Sequence, residues 1–265
     1  MTEIAKLIPI VKLIRKAFEA EQYTQGALIF RRLRAPDRAD VFEILEEGDR
    51  SQILKQLDVP DIADLFDELE DDDTVEAAEI ISLERLGDVL DEMDPDEAAD
   101  LLGDLSPEKA ERAIEEMDEP EDVLPLLEFP DETAGGRMTT AFLCLHSSST
   151  SEQAIQYLRE ASPDVDVPYY LFVVDDQDGL TGVLGLRELV IAAPHENVDS
   201  IMARDVIHVD AMADQEEAAR LMTHYDLSVL PVVGEQEQML GVITHDDILD
   251  VIEAEATEDI YRLAS

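Results

Sequence analysis

The chain has 265 residues, 45% of them apolar, which is enough for one large domain or two modest ones with buried cores. Its 65 acidic residues against 19 basic ones give a net charge of −46, and because residues 1–38 are net +4 the remainder carries −50. Such a field disfavours DNA, RNA and anionic lipid as partners and favours cations or basic surfaces.

Only five of the basic residues are lysines. A chain rich in Asp and Glu and poor in Lys is also what halophilic adaptation to a salty cytoplasm selects; that would explain diffuse charge but not where carboxylates cluster. Cys144 is the single cysteine, so no intrachain disulfide forms and a reducing compartment fits. The longest apolar run, Tyr169 to Val174, is six residues, against the roughly 20 a membrane span needs. No basic start and apolar block of a secretory signal is present, so a cytoplasmic chain is expected.

In chain order, the first predicted element is an amphipathic, basic helix over residues 4–18, with Lys6, Lys12, Arg15 and Lys16. A membrane contact is open to it, although packing on the domain as its first helix is the commoner outcome. Next comes a twelve-residue repeat. Leu33, Leu45, Leu57, Leu69, Ile81, Met93, Leu105, Met117 and Phe129 share one phase, the first eight preceded by an apolar pair such as Val41-Phe42 or Leu101-Leu102. Apolar residues at i, i+1 and i+4 predict one face of a short helix. Asp94-Pro95 and Ser106-Pro107 read as an N-cap with proline at the first helical position. Helices that short bury their faces only against each other, so residues 1–130 are expected to form an acidic α-helical solenoid. Asp40, Asp64, Glu76, Asp88 and Asp100 all stand five residues before the phase residue, and a regular stack would align them along one edge.

After Pro130, Gly135 and Gly136 the texture becomes α/β. An internal duplication appears at an offset of 59 residues, Phe172-Val173-Val174 matching Pro231-Val232-Val233 and Gly182-Val183-Leu184 matching Gly241-Val242-Ile243. Each copy predicts two short strands and then a helix, with units at residues 131–199 and 200–253 and a further helix starting over residues 254–265.

Leu230-Pro-Val-Val233 followed by Leu240-Gly-Val-Ile-Thr-His-Asp-Asp247 resembles the signature of a CBS domain, and two in tandem form the usual pair. A helical solenoid, the linker Asp131-Glu-Thr-Ala-Gly-Gly-Arg-Met138 and a CBS pair together resemble the cytosolic part of the MgtE Mg²⁺ channel family. So do Asp214-Gln-Glu-Glu217, Tyr225-Asp226 and the stretch Asp250 to Ile260. The resemblance implies a cytosolic Mg²⁺-sensing regulator that gates a transmembrane Mg²⁺ pore and dimerises through its CBS domains. The chain ends soon after Ile260, where the family's connecting helix would begin, which leaves open a fragment of a longer chain or a free-standing regulator of a separate pore.

Carboxylates are hard ligands suited to Mg²⁺, Ca²⁺ or Mn²⁺, and the five histidines and one cysteine form no zinc-like spacing. Asp246, Asp247, Asp250 and Glu253 recur at helical spacing, and like charges at i, i+4 cost about 0.2–0.5 kcal/mol each without counterions. The resemblance implies metal ligands at Asp214, Glu216, Asp226, Asp247, Asp250, Glu255, Glu258 and Asp259, and in the solenoid at Asp64, Asp96 and Asp100. It also implies that cations bridge the solenoid and the CBS pair.

CBS pairs often bind adenosine nucleotides, so ATP is a second candidate ligand. The family's nucleotide positions fall on Tyr170, Arg187, Glu188, Ile207, Leu227 and Thr244. Thr244 and Asp247 keep the Thr-x-x-Asp pattern, whereas Gly185 and Glu188 depart from it. An adenine-nucleotide sensor for another partner, with halophilic acidity, is therefore the rival reading. No phosphate-cradling glycine loop, Gly-x-Ser-x-Gly elbow or His-Glu-x-x-His occurs, so no enzyme is expected.

Overall fold

The computed structural model describes residues 4–161, 170–249 and 251–252, and the chain divides into two compact units, Met1–Leu124 and Pro125–Ser265. Within the described residues the first unit consists of α1 (Ile4–Glu19), α2 (Tyr23–Phe30), α3 (Ala35–Ile44), α4 (Glu47–Gln56), α5 (Val59–Phe66), α6 (Asp71–Ile80), α7 (Leu83–Glu92), α8 (Pro95–Asp104) and α9 (Pro107–Ile114).

Twelve residues resolve into about ten helical ones and an extended junction. α3, α4, α6, α7 and α8 are each ten residues long, and the in-phase residues Leu45, Leu57, Ile81, Met93 and Leu105 close them with ψ between 149° and 161°. The phase residue thus lies outside the helical face that the spacing predicts; it is the extended hinge between helices. The apolar pairs sit in the last helical turn, and Val41, Phe42, Ile53, Leu54, Leu65, Phe66, Val89 and Leu90 are all buried, each worth about 1.5–3 kcal/mol of transfer free energy. Pro95 and Pro107 occupy first helical positions behind Asp94 and Ser106. The α-helical pattern stops at Ile114, and short 3₁₀ turns follow at Pro120–Asp122 and Leu126–Glu128, where prolines at 120, 125 and 130 deny the backbone its donors.

Each helix packs on its next-but-one neighbour, giving an odd column α1–α3–α5–α7–α9 and an even column α2–α4–α6–α8. The acidic positions therefore split: Asp40, Asp64 and Asp88 fall on the odd column, Glu76 and Asp100 on the even one. The single edge expected from the spacing becomes two. Basic side chains are used inside the stack to close helix C-termini. Arg50 donates to the carbonyls of Phe42 (2.9 Å), Glu43 (2.7 Å) and Leu45 (3.2 Å). Arg85 donates to Leu54 (2.7 Å) and Leu57, and Lys109 to Ala78 (2.9 Å).

The second unit holds two three-stranded sheets. β1 (Cys144–His146), β2 (Tyr170–Val174) and β3 (Leu180–Gly185) form one; β4 (Val209–Asp210), β5 (Val229–Val233) and β6 (Met239–Thr244) form the other. In each the first strand runs parallel to the second and the third antiparallel. The sequence duplication extends to register: Tyr170 opposes Gly185 as Val229 opposes Thr244, and the bulges at Val173/Val174 and Val232/Val233 coincide at the same offset. Helices α10 (Ser151–Ala161), α11 (Leu186–Ile191), α12 (Val198–Ile201) and α13 (Gln215–Tyr225) cover the sheets, and residues 245–249 are helical at the position equivalent to α11.

β2 is buried on both sides and so lacks the alternation of a half-exposed strand. Leu171 and Val173 pack with Leu184, Leu189 and Val198, while Phe172 and Val174 pack with Val229, Met239 and Val242 of the other sheet. Crossed straps complete the join. Thr139, entering the first copy, exchanges backbone hydrogen bonds of 2.8 and 3.0 Å with Val242 of the second, and Ala203, entering the second, exchanges two of 2.9 Å with Val183 of the first. Gly182 and Gly241 admit these straps, since a Cβ at Gly241 would lie 2.7 Å from the Thr139 carbonyl oxygen and one at Gly182 would lie 3.0 Å from that of Ala203. The predicted linker 131–138 is held down as well: Ala134 and Gly135 donate to the carbonyls of Ala213 and Ala211 (both 2.8 Å), and Arg137 Nε reaches Gln215 Oε1 at 3.1 Å.

Candidate cation-binding site

Within the solenoid, carboxylates gather where the end of α5 meets the start of α8. Asp67 follows the last residue of α5; its Oδ1 is enclosed and without a hydrogen-bond partner, and the Asp94 backbone N–H donates to its carboxylate. Burial, reinforced by the charges of Asp94, Asp64 and Asp96, pushes the Asp67 pKa up to about 8. Asp64 lies one turn back on α5 and accepts from the buried Arg38 Nη2 at 2.8 Å, while Arg38 Nη1 reaches Asp61 at 3.2 Å. Asp96 is half-buried in the first turn of α8. Asp100, a turn further along, lines an adjoining cleft with Asp71, Glu97 and Asp104.

The structure therefore brings Asp64 and Asp96 to one place and sets Asp100 beside it. Sequence reasoning missed Asp67 at that place. Asp67 stands outside the repeat phase that drew attention to Asp64; its position two residues before Leu69, where α5 ends early, was the available signal.

In the second unit the carboxylates separate. Asp214 caps the N-terminus of α13, its Oδ1 accepting from the Glu216 N–H at 2.8 Å, and both residues are exposed. Asp226 closes the other end in the left-handed conformation, φ 55° and ψ 47°. Eleven helical residues rising about 1.5 Å each put the two ends roughly 16 Å apart, too far to share an ion. The grouping of Asp214, Glu216 and Asp226 about one helix thus becomes two distinct places. Asp247 is half-buried and accepts from the Thr244 hydroxyl (2.5 Å) and backbone N–H (3.2 Å), while Asp246 lies 2.5 Å from the same hydroxyl. Asp250, Glu255, Glu258 and Asp259 lie outside the described residues.

Hard oxygen donors in partly desolvated positions suit a hydrated divalent cation. Among the described residues, no three carboxylate, imidazole or thiolate groups converge into a ready coordination sphere. Mg²⁺ tolerates this, since it keeps most of its waters and takes one or two carboxylates. Cys144 is no ligand candidate: burial and Asp178 push its thiol up to about 12.

The expected nucleotide residues fall into two groups set by strand register. Tyr170, half-exposed at the start of β2, opposes Gly185, from which Arg187 and Glu188 lead off on α11. Gly185 leaves a space that the Glu188 carboxylate fills in place of a side chain. In the second sheet Leu227 and Thr244 share the end where Val229 opposes Thr244, and Ile207 precedes the parallel strand β4 at that same end.

The family models that match are the MgtE intracellular N domain, over residues 11–85 and 33–132, and the CBS domain, over residues 134–195 and 198–254. A magnesium transporter MgtE from Thermus thermophilus is 45% identical over 144 residues, and one from Bacillus subtilis is 36% identical over 147. These cover 54% and 56% of this chain and 32% and 33% of the relatives, so the chain spans about a third of their length. A crystal structure of the cytosolic domain of the Mg²⁺ channel MgtE in complex with ATP is 31% identical with a TM-score of 0.85, covering 91% of this chain and 99% of that one. The soluble part of a magnesium transporter is 29% identical with a TM-score of 0.83, covering 94% and 99%.

Proposed function

The chain belongs to the MgtE family, and from that premise we propose that it is a non-catalytic module that senses Mg²⁺ and gates a Mg²⁺ pore. The observation that carries this reading is Asp67, whose burial, reinforced by the charges of Asp94, Asp64 and Asp96, holds it protonated up to about pH 8. A group so disfavoured as an anion is one that a cation would relieve. Mg²⁺ supplies the opposing charge when bound. Asp64, Asp96 and Asp100 in the solenoid would meet it, with Asp214, Glu216, Asp226 and Asp247 in the CBS pair and Asp250, Glu255, Glu258 and Asp259 continuing the set.

Without cations the carboxylates of the two units repel. With them the units draw together, and several weak sites acting on one equilibrium make the response steep. Attached to its pore, on the same chain or another, the module lies at the cytoplasmic face of a membrane; among the described residues no helix is long and apolar enough to cross one. A second copy is the natural cover for Leu186, Val190 and Ile191 on α11 and for Leu249 and Ile252, with Val190 and Ile191 64% and 72% exposed. Val190 and Leu249 are duplication partners, so such apolar faces suit a two-fold dimer of CBS pairs.

ATP is a second ligand of the same module. The similar structure solved with ATP supports it, and Thr244, Tyr170 and Arg187 keep groups that would meet phosphate and base. The two ligands separate by mutation. Scattering-derived size and protease protection, followed through a Mg²⁺ titration at constant ionic strength, are expected to show compaction. Compaction should be lost in Asp64→Asn, Asp226→Asn and Asp247→Asn combined and retained in Arg187→Ala. A Mg²⁺-independent size would sink the sensing reading and leave nucleotide binding, lost in Arg187→Ala, as the better one.

A further inference from the structure

The basic N-terminal end of this acidic chain is not absorbed by cation sensing. Of its basic residues, Arg15 pairs with Glu46 and Asp49, Arg31 with Asp58 and Asp61, and Arg38 with Asp61 and Asp64. Lys12 and Lys16 behave differently. Three of the chain's five lysines, Lys6, Lys12 and Lys16, lie on one exposed face of α1, and among the described residues no ion pair engages Lys12 or Lys16. The opposite face, Leu7, Val11, Ile14, Ala17 and Phe18, is buried in the solenoid. Interleaved with the lysines are Leu13, 54% exposed, and, at the edge, Ile8, 42% exposed.

We propose that this face of α1 docks on a bilayer surface bearing anionic headgroups. Charge complementarity selects the occupant, because the face is cationic in a chain whose residues 39–265 carry −50 and an anionic leaflet attracts clustered lysines. The pattern of flexible lysines flanking isolated large apolar side chains suits the headgroup boundary, where ammonium groups meet phosphates while Leu13 and Ile8 reach the acyl region. Arginine, which the chain uses elsewhere to fix helix ends in planar forks, is absent from that exposed face. The inference is independent of Mg²⁺ sensing and survives its failure.

Co-sedimentation of the full chain with phosphatidylglycerol–phosphatidylcholine vesicles, at low ionic strength with chelator present, tests it. Binding is expected with those vesicles and not with phosphatidylcholine alone, and it should weaken as salt rises. Each lysine contributes about fivefold at low salt, so Lys12→Glu with Lys16→Glu should lower the partition by at least about 30-fold. Lys55→Glu with Arg112→Glu changes the net charge equally at exposed residues elsewhere and should bind like wild type. Matching circular dichroism of both variants separates lost binding from lost folding. Equal loss in both double variants, or no wild-type binding, overturns the proposal. So does lipid-free self-association abolished only by Lys12→Glu/Lys16→Glu, which would assign the face to an acidic surface of a second copy.

Discussion

The two units solve the problem of a highly acidic chain in opposite ways. In the solenoid several arginines are drawn inward: Arg38 bridges two carboxylates, Arg50 and Arg85 close the carbonyl ends of α3 and α4, and beyond α1 the outer surface is mostly acidic. In the CBS pair Arg187, Arg204 and Arg220 stay at the surface, while shape holds the fold together through two-sided burial of β2 and straps laid across glycines. The solenoid should therefore respond to pH, salt and cations, and the CBS pair to steric change. A stack of short helices joined only to near neighbours transmits such charge effects along its length, whereas the crossed straps make the two copies one mechanical piece.

The sharpest test of the first half is Asp67. Its carboxyl titrates near 3.8 in the unfolded chain and near 8 when folded, so ionisation favours unfolding across that interval. Solenoid stability present below pH 3.8 should fall progressively until about pH 8 and change no further from this group. Asp67→Asn keeps an acceptor for the Asp94 N–H and removes the charge. It should stabilise the solenoid above pH 8 by an amount on the order of 6 kcal/mol and flatten the decline. Hydrogen-exchange protection of α5 and α7 reads it; identical pH profiles for variant and wild type would show that Asp67 carries no such strain. Millimolar Mg²⁺ should narrow the gap, if cations relieve the same repulsion.

The other half breaks sterically. A methyl at Gly241 meets a backbone oxygen at 2.7 Å and Met138 Sδ at 2.7 Å, and the oxygen cannot move without dragging its strap. Gly241→Ala should cost about 2 kcal/mol, independent of pH and salt. Gly182→Ala, whose facing oxygen lies at 3.0 Å, should cost less. Thermal unfolding followed at the CBS pair distinguishes them, and a pH-dependent loss in either would count against a purely steric join.

Much of this contrast was legible in the residues, for reasons that differ by region. Twelve-residue phasing of Leu45, Leu57 and Leu69 announced a stack of short helices, and the offset of 59 between Phe172-Val173-Val174 and Pro231-Val232-Val233 carried through to register and bulge. Periodicity did not reveal that Leu45 and its equivalents are extended hinges, because one buried side chain in twelve fits either a helical face or a turn. Nor could it say that alternate helices form separate columns, which is a property of packing and which divided the acidic stripe in two. The strap from Thr139 to Val242 joins residues more than a hundred apart through backbone atoms alone, so no side-chain pattern encodes it; Gly241 was its one visible trace. Asp67 was hidden for a related reason, since its burial comes from a neighbouring helix rather than from its own.

Asp226 is where stability and the proposed function part company. It ends α13 at φ 55°, a conformation that glycine adopts freely and a side chain resists, with the N–H groups of Asp226 and Leu227 both directed to the Met222 carbonyl. Glycine there would relieve the steric cost and also remove a negative charge from the carbonyl end of a helix, where the macrodipole opposes it. Asp226→Gly should therefore stabilise the CBS pair by about 0.5–1 kcal/mol, as substitutions at a strained left-handed cap do. If Asp226 meets a cation, the same change should weaken Mg²⁺-driven compaction although the fold has improved. Asp226→Asn tolerates the left-handed geometry as well as aspartate does, so it should leave stability nearly unchanged while losing the cation response. A stabilised Asp226→Gly variant with an undiminished Mg²⁺ response would make Asp226 a helix terminator and nothing more. A gain in stability with a loss of response would mean that the carboxylate is kept, against its local interest, for the charge it presents.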